Sequence, residues 1–262
     1  MNEAVKEGRY IYSVVSSAVE SELGDVGIEE SRVYLVPCGE IAAVVHSCVA
    51  EPYVTKDEEK AKEWVLEHSY VIDLATDRFG TVIPFSFDVI FIGDDDSVRF
   101  WLEENYDLLK EELEKVKGRS EYTVQIFCDE DLIKEKIVTC DPELLKLRDD
   151  IEKMPKGTAY IYQKKLGLNV KKELIKEMTR LAGEFGVYIE ELVDEVKIEK
   201  KVSWVPDKYK GMMMIAAFSC LVSDGNVDAL GNLLDGIDKR EGFSVRFSGP
   251  WAPFSFVQLK GT

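Results

Sequence analysis

Apolar residues along this chain alternate between short solid runs and helical spacings, and the changes of period mark its elements. Tyr10 to Val15, Val33 to Val36 and Ile41 to Val45 are β-branched or aromatic runs bounded by Gly and Pro, and each predicts a strand. Pro37 and Gly39 mark the turn between the second and third. Thr55-Lys56-Asp57-Glu58 has capping-box spacing, after which Ala61, Trp64, Val65, His68, Val71, Ile72 and Ala75 recur at the intervals of a helix. Thr81 to Phe91 predicts an extended stretch that can bend near Pro84 into two strands. Asp94-Asp95-Asp96 puts negative charge where the next helix has its positive dipole end, and Val98, Trp101, Leu102, Leu109, Leu113 and Val116 form that helix's buried stripe up to Gly118. In Glu121 to Cys128, Tyr122, Val124, Ile126 and Cys128 share one face, as in a sheet with one wet side.

Asp141-Pro142-Glu143 starts a short helix with proline in its first turn, and that helix must end before Pro155. Beyond it the pattern predicts strands at Thr158 to Tyr162, Val196 to Trp204, Met212 to Val222 and Phe243 to Phe247, with helices at Lys171 to Val193 and Asn226 to Arg240. That order is βαββαβ, which predicts the ferredoxin-like arrangement: an antiparallel sheet with both helices on one face. Ile41 to Cys128 admits the same reading. The expected fold class is therefore α+β, with two α/β-sandwich domains, the second and also the first ferredoxin-like. The expected domains are residues 1–140, a linker helix at 141–157, and residues 158–262 ending in an extended aromatic tail. No fixed-period repeat points to a solenoid.

Composition narrows the function. With 50 Asp plus Glu against 33 Lys plus Arg, the formal charge of −17 repels phosphate backbones and anionic headgroups, so neither nucleic acid nor membrane is an expected partner. A hydrophobic fraction of 45% is enough to build a core. The longest apolar run, Met212 to Val222, is about half the length needed to span a bilayer, and Met1 to Arg9 is too polar for a secretory signal, so a cytoplasmic location is expected. Five cysteines without a CxxC pair read as reduced thiols, mostly small core residues. His46 and His68 lack the paired spacing of zinc ligands, so no metal is expected.

Motifs that carry chemistry are missing. There is no GxxxxGK[ST], no GxGxxG between strand and helix, no GxSxG and no HExxH, and hence no expected cofactor or catalytic residue. His68 is the best single acid/base candidate, yet it lies one turn after Trp64 on the apolar stripe, which favours a buried structural imidazole. Glu67 and Asp73 do not share its helix face. The acidic runs read as solvated helix faces and helix starts, and Met212-Met213-Met214 as the opening of a core strand. A catalytic or small-molecule-binding ferredoxin-like protein using His68, or a sensor with a cavity at the domain junction, is the alternative.

The C-terminal stretch is different. Pro250 and Pro253 stiffen an extended segment carrying Trp251, Phe254 and Phe256; rigid aromatics suit an interface because ordering them costs little entropy, and a tail folded back over its own domain is the equal alternative. The preceding strand leads straight into Trp251, which predicts that this ring is anchored inward and that the later aromatics lie nearer the surface. At these residues the chain resembles the GvpF/GvpL family of gas vesicle proteins. Gly249-Pro250-Trp251-Ala252-Pro253-Phe254-Ser255-Phe256 is similar to that family's terminal Gly-Pro-Trp-Pro-Pro-Tyr-Ser-Phe, departing at Ala252 and Phe254. Further similarity runs through Gly8 to Val15, Ile41 to Val45, His68 ahead of Val71-Ile72, and Thr81 to Phe91, where Ser86 and Asp88 replace the Arg and Gly usual in the family. The resemblance implies a non-enzymatic accessory or minor structural protein of gas vesicle assembly, located in the cytoplasm and at the gas vesicle. It also implies contact with the hydrophobic shell protein GvpA and other accessory Gvp proteins, either preventing premature aggregation or nucleating the wall. Trp251, Pro253, Phe254 and Phe256 are the expected partner-binding residues.

Overall fold

The computed structural model describes residues 6–199 and 205–258. The chain forms two compact units, one comprising residues up to Glu121 together with those from Gly249 on, the other Tyr122–Ser248. This differs from the expected junction at 141–157. The chain crosses between units within two strands, which no composition shift marks, and its C-terminal tail belongs to the first unit rather than to the domain that precedes it in sequence.

The first unit is built around β1 (Glu7–Val15), which reads as a solid apolar run because both of its faces are covered. On one edge β1 pairs antiparallel with β4 (Ile41–Val49), from Glu7 opposite Val49 to Val15 opposite Ala42, with a bulge between Ile11 and Ser13. On the other edge lie β5 (Val82–Pro84) and β6 (Ile90–Ile92), the two halves of the Thr81 to Phe91 stretch. β2 (Glu22–Asp25) and β3 (Arg32–Cys38) extend the sheet, giving the order β2-β3-β4-β1-β5 with β6 also beside β1. The sheet is not a βαββαβ unit, because the strand ending at Cys128 pairs in the other sheet and β1 takes the centre.

Helix α1 (Glu58–Phe79) covers one face, packing Trp64, Val71, Ile72 and Ala75 against Tyr10, Tyr12, Val33 and Val44. Its cap is Asp57, which accepts the N–H groups of Glu59 and Lys60; Thr55 instead accepts the N–H of Asp57. Helices α2 (Asp95–Glu104) and α3 (Tyr106–Val116) cover the opposite face through Val98, Leu102, Leu109 and Leu113. The sequence pattern predicts one continuous helix here. Asn105 breaks it by leaving helical backbone geometry and donating its side-chain amide to Trp101 O at 2.9 Å. Asp95, at the start of α2, accepts from Arg9 on β1 and from Tyr34 on β3, fixing the helix to the sheet.

The second unit contains β7 (Arg119–Cys128), α4 (Glu130–Cys140), α5 (Pro142–Glu152), α6 (Lys156–Glu190), β8 (Glu195–Ile198), β9 (Met213–Ser223), α7 (Val227–Asp238) and β10 (Phe243–Trp251). Its sheet runs β10-β7-β9-β8, with β8 and β9 antiparallel. The expected strand at Thr158 to Tyr162 is instead the first part of α6, a helix about 52 Å long. Pro155 stands at its N-cap and Ala159 N–H bonds to Pro155 O, so a few β-prone residues are carried by a helix that the following good helix formers propagate. The opening strand of this unit is β7. Residues 200–204 of the expected Val196 to Trp204 strand lie outside the described residues. Tyr122, Val124 and Ile126 share a core with Phe185, Phe218 and Leu234, while the face expected to be wet buries Gln125 and Phe127, the latter stacked 4.4 Å from the Tyr209 ring.

Candidate functional site

The terminal segment leaves β10 at Trp251 and turns back on itself, with Phe254 N–H bonding to Ala252 O at 2.8 Å and Phe256 N–H to Pro253 O at 3.1 Å. Three anchors hold this turn on the first unit. The Glu121 carboxylate accepts both Ser255 N–H, at 2.8 Å, and Ser255 Oγ–H, at 2.6 Å. Lys115 Nζ donates to Phe256 O at 2.9 Å. Ala252 and Val257 pack against the apolar cores on the α1 and the α2–α3 faces of the first sheet.

The turn sorts its side chains in two directions. Trp251 remains 49% exposed and Phe254 46%, whereas Phe256 is 0% exposed and Pro253 is buried. This reverses the expected placement of Trp251 and Phe256. A strand direction does not decide which face its last residue takes, and here the close approach of Ala252 to the core turns Trp251 outward. Of the four residues singled out in sequence, two therefore form an outward aromatic pair and two are its foundation. Glu121 and Lys115 carry no signal of this role in the sequence, since each lies more than 130 residues from its partner in the tail and no local pattern links them.

His68 has a different environment. Its Nε2 lies 3.1 Å from Phe85 O, which can only accept, so Nε2 carries the proton and Nδ1 accepts from the Tyr10 hydroxyl at 2.9 Å. Tyr10 in turn accepts Asp88 N–H. His46, fully buried, is bracketed by Tyr12 at 2.8 Å and Tyr53 at 3.1 Å. The rings of Tyr10, Tyr12, Tyr53, Phe87 and the two histidines pack together at centroid distances of 4.9 to 6.4 Å. Burial disfavours the charged form and holds both imidazoles down at about 4, and it pushes the Tyr53 phenol up to about 12. An imidazole with both nitrogens occupied by the fold and no access to solvent is placed as a structural element, not as a base facing a substrate.

An open hollow of about 1000 Å³ lies within the second unit between α4, the start of α5 and α6. Its cations are each paired to neighbouring carboxylates: Lys136 with Glu241, Lys176 with Glu173, Arg180 with Glu177 and Glu184, and Arg240 with Glu184. The wall charges thus face one another rather than converging on a ligand. Cys140 on its rim is exposed, unlike the buried Cys128 and Cys220. Among the described residues, no three His, Cys, Asp or Glu side chains gather as a metal site requires, and no helix is long and apolar enough to cross a membrane.

A family model described as gas vesicle synthesis protein GvpL/GvpF matches residues 8–258. Gas vesicle protein L1 of Halobacterium salinarum is 31% identical over 257 residues, covering 97% of this chain and 91% of that protein. Gas vesicle protein L of Haloferax mediterranei is 30% identical, with coverage of 97% and 88%. Among solved structures, the gas vesicle protein GvpF from Anabaena sp. PCC7120 superposes with a TM-score of 0.74 at 20% identity, over 97% of this chain and 99% of that one. The GvpF from Microcystis aeruginosa gives 0.67 at 17% identity, over 96% and 99%. At these identities the structures speak for a shared fold, a mixed α/β architecture with antiparallel strand pairing.

Proposed function

The chain belongs to the GvpL/GvpF family of gas vesicle synthesis proteins, and from that premise we propose that it is a non-enzymatic accessory factor whose outward aromatic pair, Trp251 and Phe254, contacts the shell protein GvpA. The family takes part in gas vesicle formation. The observation that carries the proposal is the stapled turn, which holds two half-exposed aromatics three residues apart on a rigid base of Pro253, Phe256 and the Glu121–Ser255 bonds. Large rings whose ordering entropy has already been lost in the fold are efficient anchors for an apolar partner. An acidic exterior keeps such a protein dispersed while its apolar contact site stays open. Other accessory Gvp proteins are further partners on this reading, and the place of action is the cytoplasm at the forming vesicle. The second unit is read as a ferredoxin-like scaffold whose first strand is β7, consistent with its strand order.

The double substitution Trp251→Ala, Phe254→Ala tests the contact. Each ring at a hot spot contributes about 2 kcal/mol, roughly thirtyfold in affinity, so GvpA retention in co-purification should collapse while the melting temperature stays near wild type. Phe256→Ala is the contrasting variant, expected to cost about 3 to 5 kcal/mol of folding stability. Equal GvpA retention by wild type and a stably folded double variant would reject the contact and leave family membership untouched. The alternative of a catalytic or small-molecule-binding protein using His68 finds no support in that residue's sealed, doubly bonded ring.

A further inference from the structure

Residues 153–172 contain six lysines and no carboxylate, in a chain whose net charge is −17. Most of this stretch is the N-terminal part of α6, and from Lys156 to Asn169 nearly every side chain is exposed. Apolar residues are nevertheless present there. Ile161, Leu168 and Ile175 recur every seventh residue and are 66%, 69% and 58% exposed. Seven residues bring an α-helix back to within about 20° of the same direction, so these three side chains make one narrow seam about 21 Å long. Val170, Leu174, Leu181 and Phe185 point the other way, into the cores of the second unit. The seam is therefore an outer face that this unit's own packing does not require.

The lysines are arranged around the seam. Lys164 and Lys171 follow Ile161 and Leu168 at i+3, and Lys165 and Lys172 follow them at i+4, so a cation stands on each side at two successive levels. All four are exposed, and among the described residues none has a carboxylate within ion-pair distance, whereas Lys176 just beyond is already bonded to Glu173 at 2.7 Å. Ile161, Leu168 and Ile175 supply one of the two apolar positions of a heptad, and lysines occupy the i+3 and i+4 positions after the first two, so the face offers a narrow apolar seam edged by cations to a helix laid along it.

We propose that the outer face of α6 from Ile161 to Ile175 docks an amphipathic helix of a partner protein, one whose apolar residues also recur every seventh position and are flanked by Asp or Glu. Charge complementarity selects the acidic flanks. The narrowness of the seam selects a helix over a bilayer, since a helix lying in a membrane interface needs a broad apolar face. The net charge of −17 selects against an extended polyanion, which the field of the chain as a whole repels. This site involves none of the tail residues assigned to GvpA contact, so either proposal can fail without the other.

The test uses the full-length protein and a fluorescent synthetic helix of about three heptads, with Leu at every seventh position and Glu flanks, compared with the same helix carrying Lys flanks. The Glu-flanked helix should bind at least tenfold more tightly than the Lys-flanked one, weakening between about 0.1 and about 0.5 M salt. Reversing all four charges, Lys164→Glu, Lys165→Glu, Lys171→Glu and Lys172→Glu, should invert that preference. Ile161→Ser with Leu168→Ser and Ile175→Ser should abolish binding while leaving every charge in place. Thermal melts of both variants should match wild type, because the altered side chains are exposed. Equal binding of the two helices, binding that survives loss of the seam, or tighter binding to phosphatidylglycerol vesicles than to the Glu-flanked helix would each overturn the proposal.

Discussion

Neither buried histidine can gain a proton without breaking the hydrogen-bond pattern that places it. For His68, a proton on Nδ1 would meet the Tyr10 hydroxyl, which now donates to that nitrogen and already accepts Asp88 N–H. For His46 the groups facing the ring are the Tyr12 and Tyr53 hydroxyls, neither of which supplies a negative charge near neutral pH. Both side chains titrate at about 4 in the fold and near 6.5 when unfolded, so between those values the unfolded chain binds more protons. Stability is thus full above pH 6.5 and falls as the pH drops towards 4, by up to about 3 kcal/mol for each histidine. Denaturant titrations between about pH 4.5 and 6.5 should show this slope, and His68→Gln should reduce it by about 1.4 kcal/mol per pH unit, one proton's worth. An unchanged slope in that variant would mean that His68 titrates freely in the folded protein.

At the scale of the element, one of the three anchors of the terminal turn is a buried carboxylate, Glu121. Removing the Glu121 side chain takes away the carboxylate that accepts from Ser255 N–H and Oγ–H, and hydrogen bonds to a charged group contribute about 1.5 to 3 kcal/mol. Glu121→Ala should therefore lower stability by about 2 to 3 kcal/mol and make the segment around Phe254 the first site of limited proteolysis, whereas Glu121→Gln, which keeps one acceptor oxygen, should lose less. Elements of this fold are legible in sequence where local chemistry and packing agree: β1, β4 and α1 follow from their apolar runs, and Asp141-Pro142 places the start of α5. Thr158 to Tyr162 fails because propensity is a weak prior that helix propagation overrides. The tail's anchors fail for another reason. Glu121 and Ser255 meet only through the return of the chain after β10, so neither residue carries a local signal of the other.

At the scale of the molecule, sequence order and structural membership part company, because the last residues complete the unit that the first residues begin. Ala252 lies in the same apolar cluster as Tyr10, Tyr12, Val44, Trp64 and Ile72, and Lys115 and Glu121 both end their hydrogen bonds on the tail. Among the described residues, the second unit's main core of Phe185, Phe218, Leu230, Leu234 and Ile237 contains none beyond Phe247. Ending the chain after Ser248 should consequently weaken the half that is most distant in sequence. Loss of the fully buried Phe256 alone is worth about 3 to 5 kcal/mol, and hydrogen exchange should accelerate at the backbone amides of β1, β4 and α1 while β9 and α7 keep wild-type protection. Equal acceleration in both units would show that they unfold as one cooperative core. Unchanged protection in β1 and α1 would show that the stapled turn adds nothing to the unit on which it sits, and would also remove the rigid base on which the outward pair Trp251 and Phe254 depends.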